Sequence, residues 1–400
     1  MGNLYLLVFL GWISAMSPLS TDMYLPGLPE LAEDFGVTPS LAQLTLTMTM
    51  AGMAVGQVAG GPLSDRFGRK GPLLLGMAGF MAMSAACWQA QSIYWFLLYR
   101  FAQGFCGAFG IVISRAIARD VKSGAELLRF LSILMMVHGL APVLAPVIGG
   151  QLLLFLPWRG VFAVLVGVGA VLTGMTLLFS ETLPREKRIR SLSGSFRSFG
   201  ELLRDRYFLG HCLVQCFVFG AFFSYLAGSS FLFQNVYGVS AQTFSFIFGG
   251  IGLGLMAMGT LPAKMAGSVE GVVMLRASLL VPLAGSVLLT AGFLLDAPIW
   301  YAVPVLFVTI TPLSVMGSSS IALALTKQGR NAGSASALLG FFSMILGGAC
   351  MPLVGIAGDR TALPMGLLMI AGYALALLSF RRFIAPYHRK ELSRRRLLPF

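Results

Sequence analysis

The stretch "GQVAGGPLSDRFGRKGPLL", residues 56–74, joins two long apolar runs of the chain. Gly56 and Gly60 lie in the first run, where glycine lets two helices approach closely. Gly68 permits a tight turn between the runs. The charged residues of the stretch are Asp65, Arg66, Arg69 and Lys70. The pattern predicts two membrane helices joined by a short charged loop.

Apolar runs of this kind recur along the entire chain. Of its 400 residues, 57% are hydrophobic and 11% are charged, whereas soluble domains carry roughly 25% charged residues. The chain has too little polar surface to cover a water-soluble protein, so its composition indicates a polytopic membrane protein. Its five cysteines all lie in apolar runs and are expected to be small core residues and not metal ligands.

Twelve runs are long enough to cross about 30 Å of hydrocarbon as a helix. The sequence therefore predicts an all-α membrane protein with twelve transmembrane helices. The expected spans are 4–26, 40–62, 71–91, 93–115, 129–152, 159–180, 208–230, 241–263, 271–295, 298–322, 332–356 and 362–383.

Lysine and arginine concentrate in alternate loops and in the C-terminal tail. Positively charged loops stay in the cytoplasm, so both termini are expected there. The net charge of +13 is accordingly interpreted as a topology feature. We expect the basic tail to contact anionic lipid headgroups and not nucleic acid.

The longest polar stretch lies at residues 181–207, between the sixth and seventh spans. This position predicts two six-helix bundles joined by a linker, the arrangement of a rocking transporter. The expected domains are an N-terminal bundle (1–180), a cytoplasmic linker (181–207), a C-terminal bundle (208–383) and a basic cytoplasmic tail (384–400).

The charged loop at 63–70 admits two interpretations. Arg69 can pair with Asp120 at the end of the fourth span, and such a cluster would latch the two bundles in the outward-facing state. Alternatively, the charges only set the orientation. Asp65 favours the latch, because orientation alone needs no acid.

Arg100 lies inside the apolar run "YRFAQGFCGAFG", residues 99–110. An unpaired arginine at mid-membrane costs at least about 3 kcal/mol, so Arg100 is expected to line a cavity and find a partner. The alternative is that its side chain reaches the outer membrane surface. Gln103, one turn away, shares its helix face.

"GLAPVLAPVIGG", residues 139–150, combines helix-bending prolines with glycines that admit a close neighbour. The expected neighbour is the eighth span, at "GGIGLG", residues 249–254. Ordinary tight packing is the alternative. The residues of interest are Gly139, Pro142, Pro146, Gly149 and Gly150.

"STDMYLPGLPEL", residues 20–31, ends the first span and contains Asp22, the acid we place within a span. Pro26 removes the helical hydrogen bond to the Asp22 carbonyl, and irregular backbone at membrane depth is tolerated where it is packed in protein or lines a cavity. Asp22 and Arg100 fall at comparable depth in the outer half. Asp22 is therefore expected to be a protonation site, or else an interfacial residue in the turn.

The loop at 56–74 resembles the motif between spans 2 and 3 of the major facilitator superfamily, and residues 99–110 resemble its span 4 motif. Residues 139–150 resemble the span 5 motif of its antiporters, although Ala145 stands where the family usually has glycine. Residues 20–31, with "SETLPREKR" (180–188) and "NAGSASALLG" (331–340), resemble the bicyclomycin-resistance-type drug exporters. The resemblance implies that Asp22 and Arg100 serve proton-coupled drug export.

The expected function is therefore proton-coupled efflux of drugs or other small organic compounds across a bacterial inner membrane. The alternatives are a dedicated exporter or importer of a nucleoside, sugar or amino acid on the same fold, or a membrane enzyme or sensor. The expected partners are a small-molecule substrate, protons and the lipid bilayer, with the chain a monomer and no cofactor. Further residues expected to line the substrate cavity are Tyr24, Gln103, His138, Phe231 and Gln234.

Overall fold

The computed structural model describes residues 3–188, 200, 202–265, 268–325 and 332–388. Helices dominate the part of the chain so described. Those of the N-terminal half are α1 (Asn3–Asp22), α2 (Leu28–Asp34), α3 (Pro39–Phe67), α4 (Lys70–Gln89), α5 (Ile93–Val121), α6 (Gly124–Leu152) and α7 (Trp158–Leu178).

The C-terminal half begins with α8 (Arg206–Phe231), which continues into a π-helical turn at Leu232–Val236. The helices that follow are α9 (Ala241–Gly259), α10 (Leu261–Lys264), α11 (Gly271–Leu294), α12 (Ile299–Ile310), α13 (Leu313–Leu325), α14 (Ala332–Val354) and α15 (Leu363–Ser379). Of the predicted linker, residues 189–199 and 201 lie outside the described residues, as does the tail from residue 389.

The chain forms two compact units. Unit 1 comprises Met1–Leu192 together with Ser230–Gly250, and unit 2 comprises Ser193–Ser229 with Ile251–Phe400. In unit 1, α5 packs against α3, α4 and α1, while α6 packs along α1 and α7 along α4. In unit 2, α11 contacts α12, α13 and α15.

Ten helices of the described residues are long and apolar enough to cross a membrane, which makes the chain a multi-pass membrane protein. Two other predicted spans, 40–62 and 129–152, coincide with α3 and α6 and are not among the ten. Buried polar side chains lower the hydropathy of α3; they include Gln43, Thr45 and Thr49.

The first predicted span is interrupted near Pro26, the second of its two prolines. α1 runs through Pro18 and ends at Asp22. A 3-10 turn at Leu25–Gly27 and the short helix α2 follow. Pro26 cannot donate the hydrogen bond that would continue α1, so Asp22 lies at a helix end inside the bundle.

Glycines bring α3 and α5 into backbone contact. A Cβ atom added at Gly52 would collide with the Phe101 carbonyl, and one at Gly56 with the Phe105 carbonyl. On the facing helix, a Cβ at Gly104 would collide with the carbonyl of Thr49. Small residues thus allow a close approach of two helices, as in other membrane bundles.

Candidate functional site

Asp22 ends α1 in a nearly water-free environment, since only 5% of its surface is exposed. The neighbouring hydroxyls of Ser20 and Thr21 donate to the Ser17 carbonyl of their own helix, at 2.8 and 3.0 Å. The Arg100 guanidinium lies close enough to interact with the charge of Asp22. Both residues are described, and no direct ion pair joins them.

Arg100 is fully buried, and its guanidinium is held on two sides. Its Nη1 donates to the Gln103 carbonyl oxygen, and the Gln103 amide donates to Ser84 Oγ at 2.7 Å. The Arg100 Cζ atom lies 4.5 Å from the centre of the Tyr24 ring and 5.4 Å from that of Phe162, a cation–π arrangement. Two of its nitrogens, Nε and Nη2, have no partner among the described residues.

Tyr24 and Gln103 therefore contact Arg100 and are themselves buried. The Tyr24 hydroxyl is 2.8 Å from Thr45 Oγ1, which fixes the ring against the guanidinium. The uncommitted Nε and Nη2 atoms leave Arg100 able to bind an acid such as Asp22. A buried charge without a full set of partners is unfavourable, so the Arg100 guanidinium attracts an ionised acid more strongly than a protonated one. This geometry can therefore couple the protonation of an acid such as Asp22 to its distance from Arg100.

The charged loop forms one network around Arg69, of which 6% is exposed. Its guanidinium donates to Ser64 Oγ (2.8 Å), Asp65 Oδ1 (2.5 Å) and Asp120 Oδ2 (2.8 Å). The hydrogen bonds to the two acids raise the pKa of Arg69, although burial opposes them as the largest single effect. Arg69 thus joins the ends of α3 and α5.

The other two basic residues of this loop behave differently. The exposed Arg66 lies over the ring of Phe67, with 5.3 Å between Cζ and the ring centre. Lys70 Nζ donates to the Leu177 carbonyl at the end of α7, at 2.7 Å. Among the three basic side chains of this loop, that of Arg69 is the buried one.

Glu181 belongs to this network and was not among the predicted site residues. Its carboxylate accepts the backbone N–H groups of Arg69 (2.8 Å) and Lys70 (3.3 Å), and so caps α4. It also accepts those of Thr182 and Leu183, both at 3.0 Å. Burial raises the pKa of Glu181, but these hydrogen bonds outweigh it and hold that pKa below its ordinary value. Its presence in a basic loop is a sequence feature of the same kind as Asp65.

Gly149 and Gly150 of the span 5 motif lie against other parts of unit 1. A Cβ atom at Gly149 would collide with the Met23 carbonyl, and one at Gly150 with Ser245 Oγ. The Gln242 amide donates to the Gly150 carbonyl at 3.1 Å. Pro142 and Pro146 lie within the continuous helix α6. The motif therefore contacts both the end of α1 and the start of α9.

Two residues predicted to line a substrate cavity lie near the end of α8. Phe231 is buried. The Gln234 amide, in the π-helical turn, donates to the Pro26 carbonyl (2.9 Å) and to Ser230 Oγ (2.8 Å), while Ser230 donates to the Leu25 carbonyl (2.7 Å). These bonds fix the turn that follows Asp22. His138 and Gly139 lie within α6 but outside the residues whose side chains are described.

An apolar groove of about 400 Å³ lies between α1, α6 and α7 and is open on one side, where Val8 and Trp12 of its lining are exposed. Leu19 and Met23, which flank Asp22 along the chain, are among its lining residues. The lining does not include the described candidates Tyr24, Gln103, Phe231 or Gln234. Within the described residues, no cluster of three or more His, Cys, Asp or Glu side chains could hold a metal ion.

The family model of the Major Facilitator Superfamily matches residues 10–352. The chain belongs to this superfamily, as the charged loop and the span 4 motif predicted. It is a membrane transporter.

Three relatives illustrate where in the superfamily it lies. The chain is 39% identical over 382 residues to an uncharacterized MFS-type transporter, YdgK, of Bacillus subtilis, covering 94% of this chain and 95% of the relative. It is 32% identical over 374 residues to a bicyclomycin resistance protein homolog of Haemophilus influenzae, covering 93% and 94%. It is 31% identical over 242 residues to the multidrug resistance protein MdtL of Klebsiella pneumoniae, covering 60% of each. The predicted likeness to bicyclomycin-resistance-type exporters is confirmed.

The fold is also that of solved transporters. A bacterial homolog of the human lysosomal transporter Spinster aligns with a TM-score of 0.76 at 17% identity, over 95% of this chain and 97% of the other. At this identity the likeness concerns the fold alone.

Proposed function

We propose that the chain exports drugs or other small organic compounds from the cytoplasm across a bacterial inner membrane in exchange for protons. The observation that carries the proposal is the buried Asp22 at the interrupted end of α1, beside an arginine with two uncommitted nitrogens. Relatives whose names record bicyclomycin and multidrug resistance support the substrate class.

In this proposal Asp22 carries the proton and Arg100 senses its charge. When Asp22 is ionised, Arg100 attracts it; when a proton neutralises it, the attraction is lost. Tyr24, Gln103 and the Ser84 hydroxyl hold the guanidinium in place. A proton can then drive a change of conformation, with a membrane potential of 100 mV supplying about 2.3 kcal/mol per charge moved.

The finer architecture is part of the proposal. Twelve spans form two bundles, 1–180 and 208–383, joined by a cytoplasmic linker at 181–207. Both termini and the basic tail 384–400 are cytoplasmic, and the chain acts as a monomer. The charged loop residues Asp65, Arg66, Arg69 and Lys70, together with Asp120, form its latch.

The test is a resistance profile of cells overproducing the chain, with bicyclomycin in the panel. Resistance that an uncoupler of the proton gradient abolishes supports the proposal. In everted membrane vesicles, addition of an exported compound should release protons from the lumen, and vesicles with Asp22→Asn serve as the control. Resistance that persists without a gradient, or no transport of any drug, overturns it.

A further inference from the structure

Unit 2 contains a buried polar cluster that the proposed proton site does not use. His211, on α8, is fully buried, and its Nδ1 atom is 3.0 Å from Ser320 Oγ of α13. Gln215, one helical turn further, is 3% exposed. Residues four apart share a helix face, so the two side chains belong to one surface of α8.

The cluster is incompletely satisfied. The Nε2 atom of His211 and the Nε2 atom of Gln215 have no hydrogen-bond partner among the described residues. The remaining contact of Gln215 is weak: Ser343 Oγ lies 3.4 Å from its Oε1, whereas the same hydroxyl donates to the Leu339 carbonyl at 2.7 Å. One helix face thus presents two buried nitrogens that meet no acceptor in the described part of the chain.

Such an arrangement is unfavourable unless something completes it. A buried polar group without a partner loses its hydration and gains nothing in return. Between helices of a membrane protein no bulk water relieves that loss. Polar and ionisable residues in spanning segments are accordingly rare and mark functional sites.

The chemistry of the missing partner follows from the donors. Gln215 Nε2 is an N–H donor. If the Ser320 hydroxyl donates to Nδ1 of His211, the neutral imidazole carries its proton on Nε2, which is then a second donor. Two neutral donors on one helix face suit a single uncharged acceptor oxygen.

We propose that His211 and Gln215 form a second binding site, which takes one acceptor oxygen from a bound water molecule or from a carbonyl or hydroxyl of a transported compound. If a transported compound supplies this oxygen, the inference rests on the proposed export function; if water supplies it, the inference does not. The competing explanation is packing, since His211 also meets the ring of Tyr207 edge-on, with 4.8 Å between ring centres.

Paired substitutions in the purified full-length chain separate the site from packing. His211→Gln keeps an N–H donor and loses the ring. His211→Phe keeps an aromatic ring but loses both the Nε2 donor and the hydrogen bond of Nδ1 to Ser320, so Gln215→Met is the cleaner removal of a donor. We expect the glutamine variant to unfold near the wild-type temperature and the phenylalanine variant to unfold earlier, by about 2–4 °C. Gln215→Met, which removes the amide at similar size, should behave like His211→Phe.

The control is Ser278→Ala, because Ser278 is buried in the same unit and donates to the Leu275 carbonyl of its own helix. Ser278→Ala should not change the affinity for bicyclomycin, which is measured in the titration described in the next paragraph. The proposal is overturned if His211→Phe or Gln215→Met unfolds at or above the wild-type temperature, since removal of truly orphaned donors stabilises a protein. The reverse order, with His211→Gln the less stable of the pair, also overturns it.

Bicyclomycin, titrated into the same proteins, distinguishes the two sources of oxygen. A tenfold or greater loss of affinity in both apolar variants assigns the oxygen to the compound. Unchanged affinity, or no binding to the wild type, together with the expected destabilisation, assigns it to water. If the wild type does not bind bicyclomycin, the result contradicts bicyclomycin as a substrate but does not contradict the proposed site at His211 and Gln215.

Discussion

The Glu181 carboxylate caps a helix that begins 111 residues earlier, since its Oε2 atom accepts the backbone N–H of Lys70 and its Oε1 atom that of Arg69 at 2.8 Å. The Arg188 guanidinium lies 3.5 Å from the same carboxylate. The segment after the sixth span is thereby fastened to the charged loop.

Glu181→Gln should destabilise the protein by about 1 kcal/mol, the usual size of a helix-capping effect. Thermal unfolding in detergent at neutral pH measures it. Glu186→Gln is the control, because Glu186 is an exposed acid in the same segment. Equal unfolding temperatures for the two variants would show that the cap contributes nothing.

The stability supplied by Glu181 should also depend on pH. Its pKa in the folded protein lies below the ordinary value of 4.5, so folding favours the ionised form. The contribution is therefore fully present above about pH 4.5 and disappears as the pH falls through the lower folded value. The difference in unfolding temperature between wild type and Glu181→Gln should shrink on acidification below pH 4.5, and a constant difference would contradict this.

Arg69→Ala should insert into the membrane normally yet transport at least about tenfold more slowly, which corresponds to about 1.4 kcal/mol. The change leaves Asp65 and Asp120 facing each other without the guanidinium that joins them. Transport rate per folded protein is the measurement. Lys264→Ala, at an exposed position of another loop, should be close to wild type. Normal turnover in Arg69→Ala would mean that the loop serves orientation alone.

Arg100→Lys should lower transport by about tenfold or more although it keeps the charge. Lysine lacks the planar fork that bonds to Gln103 while leaving other nitrogens directed elsewhere. Arg159→Lys is a matched control, because Arg159 pairs with the partly exposed Asp34 at 2.9 Å and such pairs contribute little. Full export by Arg100→Lys would show that fixed geometry at this position is unnecessary.

Asp22→Asn should bind substrate but fail to couple its export to protons. Asparagine keeps the size and hydrogen-bonding capacity of the side chain and carries no titratable proton. In reconstituted vesicles, substrate-induced proton release should vanish, and the remaining affinity should no longer vary with pH. Glu33→Gln, an exposed acid, should change neither. Wild-type proton coupling in Asp22→Asn would contradict the assignment of Asp22 as the proton carrier.

Gln234→Leu should destabilise the turn after Asp22 by about 1 kcal/mol, because the Pro26 carbonyl loses a partly buried hydrogen-bond donor. Thermal unfolding is the measurement, and Gln89→Leu, at an exposed helix end, is the control. A wild-type unfolding temperature would indicate that water replaces the amide without loss.

Local chemistry predicted much of this molecule. Pro26 indicated the break after Asp22, and the hydropathy of the runs predicted most helices. The partners of Glu181 were not predictable in this way, because they depend on how distant helices pack. The same holds for the histidines. His138 and His211 both lie in apolar runs, and sequence reasoning selected the first. Only the packing of α8 against α13 shows what His211 meets.

The glycine contacts between α3 and α5 have a mechanical consequence. Two helices in backbone contact resist sliding and bending, so we expect the pair to move as one rigid body. Arg100 and Asp120 lie near its opposite ends, about 30 Å apart at 1.5 Å per residue. We therefore expect a displacement of Arg69 at one end of the pair to be transmitted to the buried Arg100 guanidinium at the other. Bulkier residues at Gly52, Gly56 or Gly104 would separate the two helices. The two ends of the pair would then no longer move together, although the side chains at each end would be unchanged.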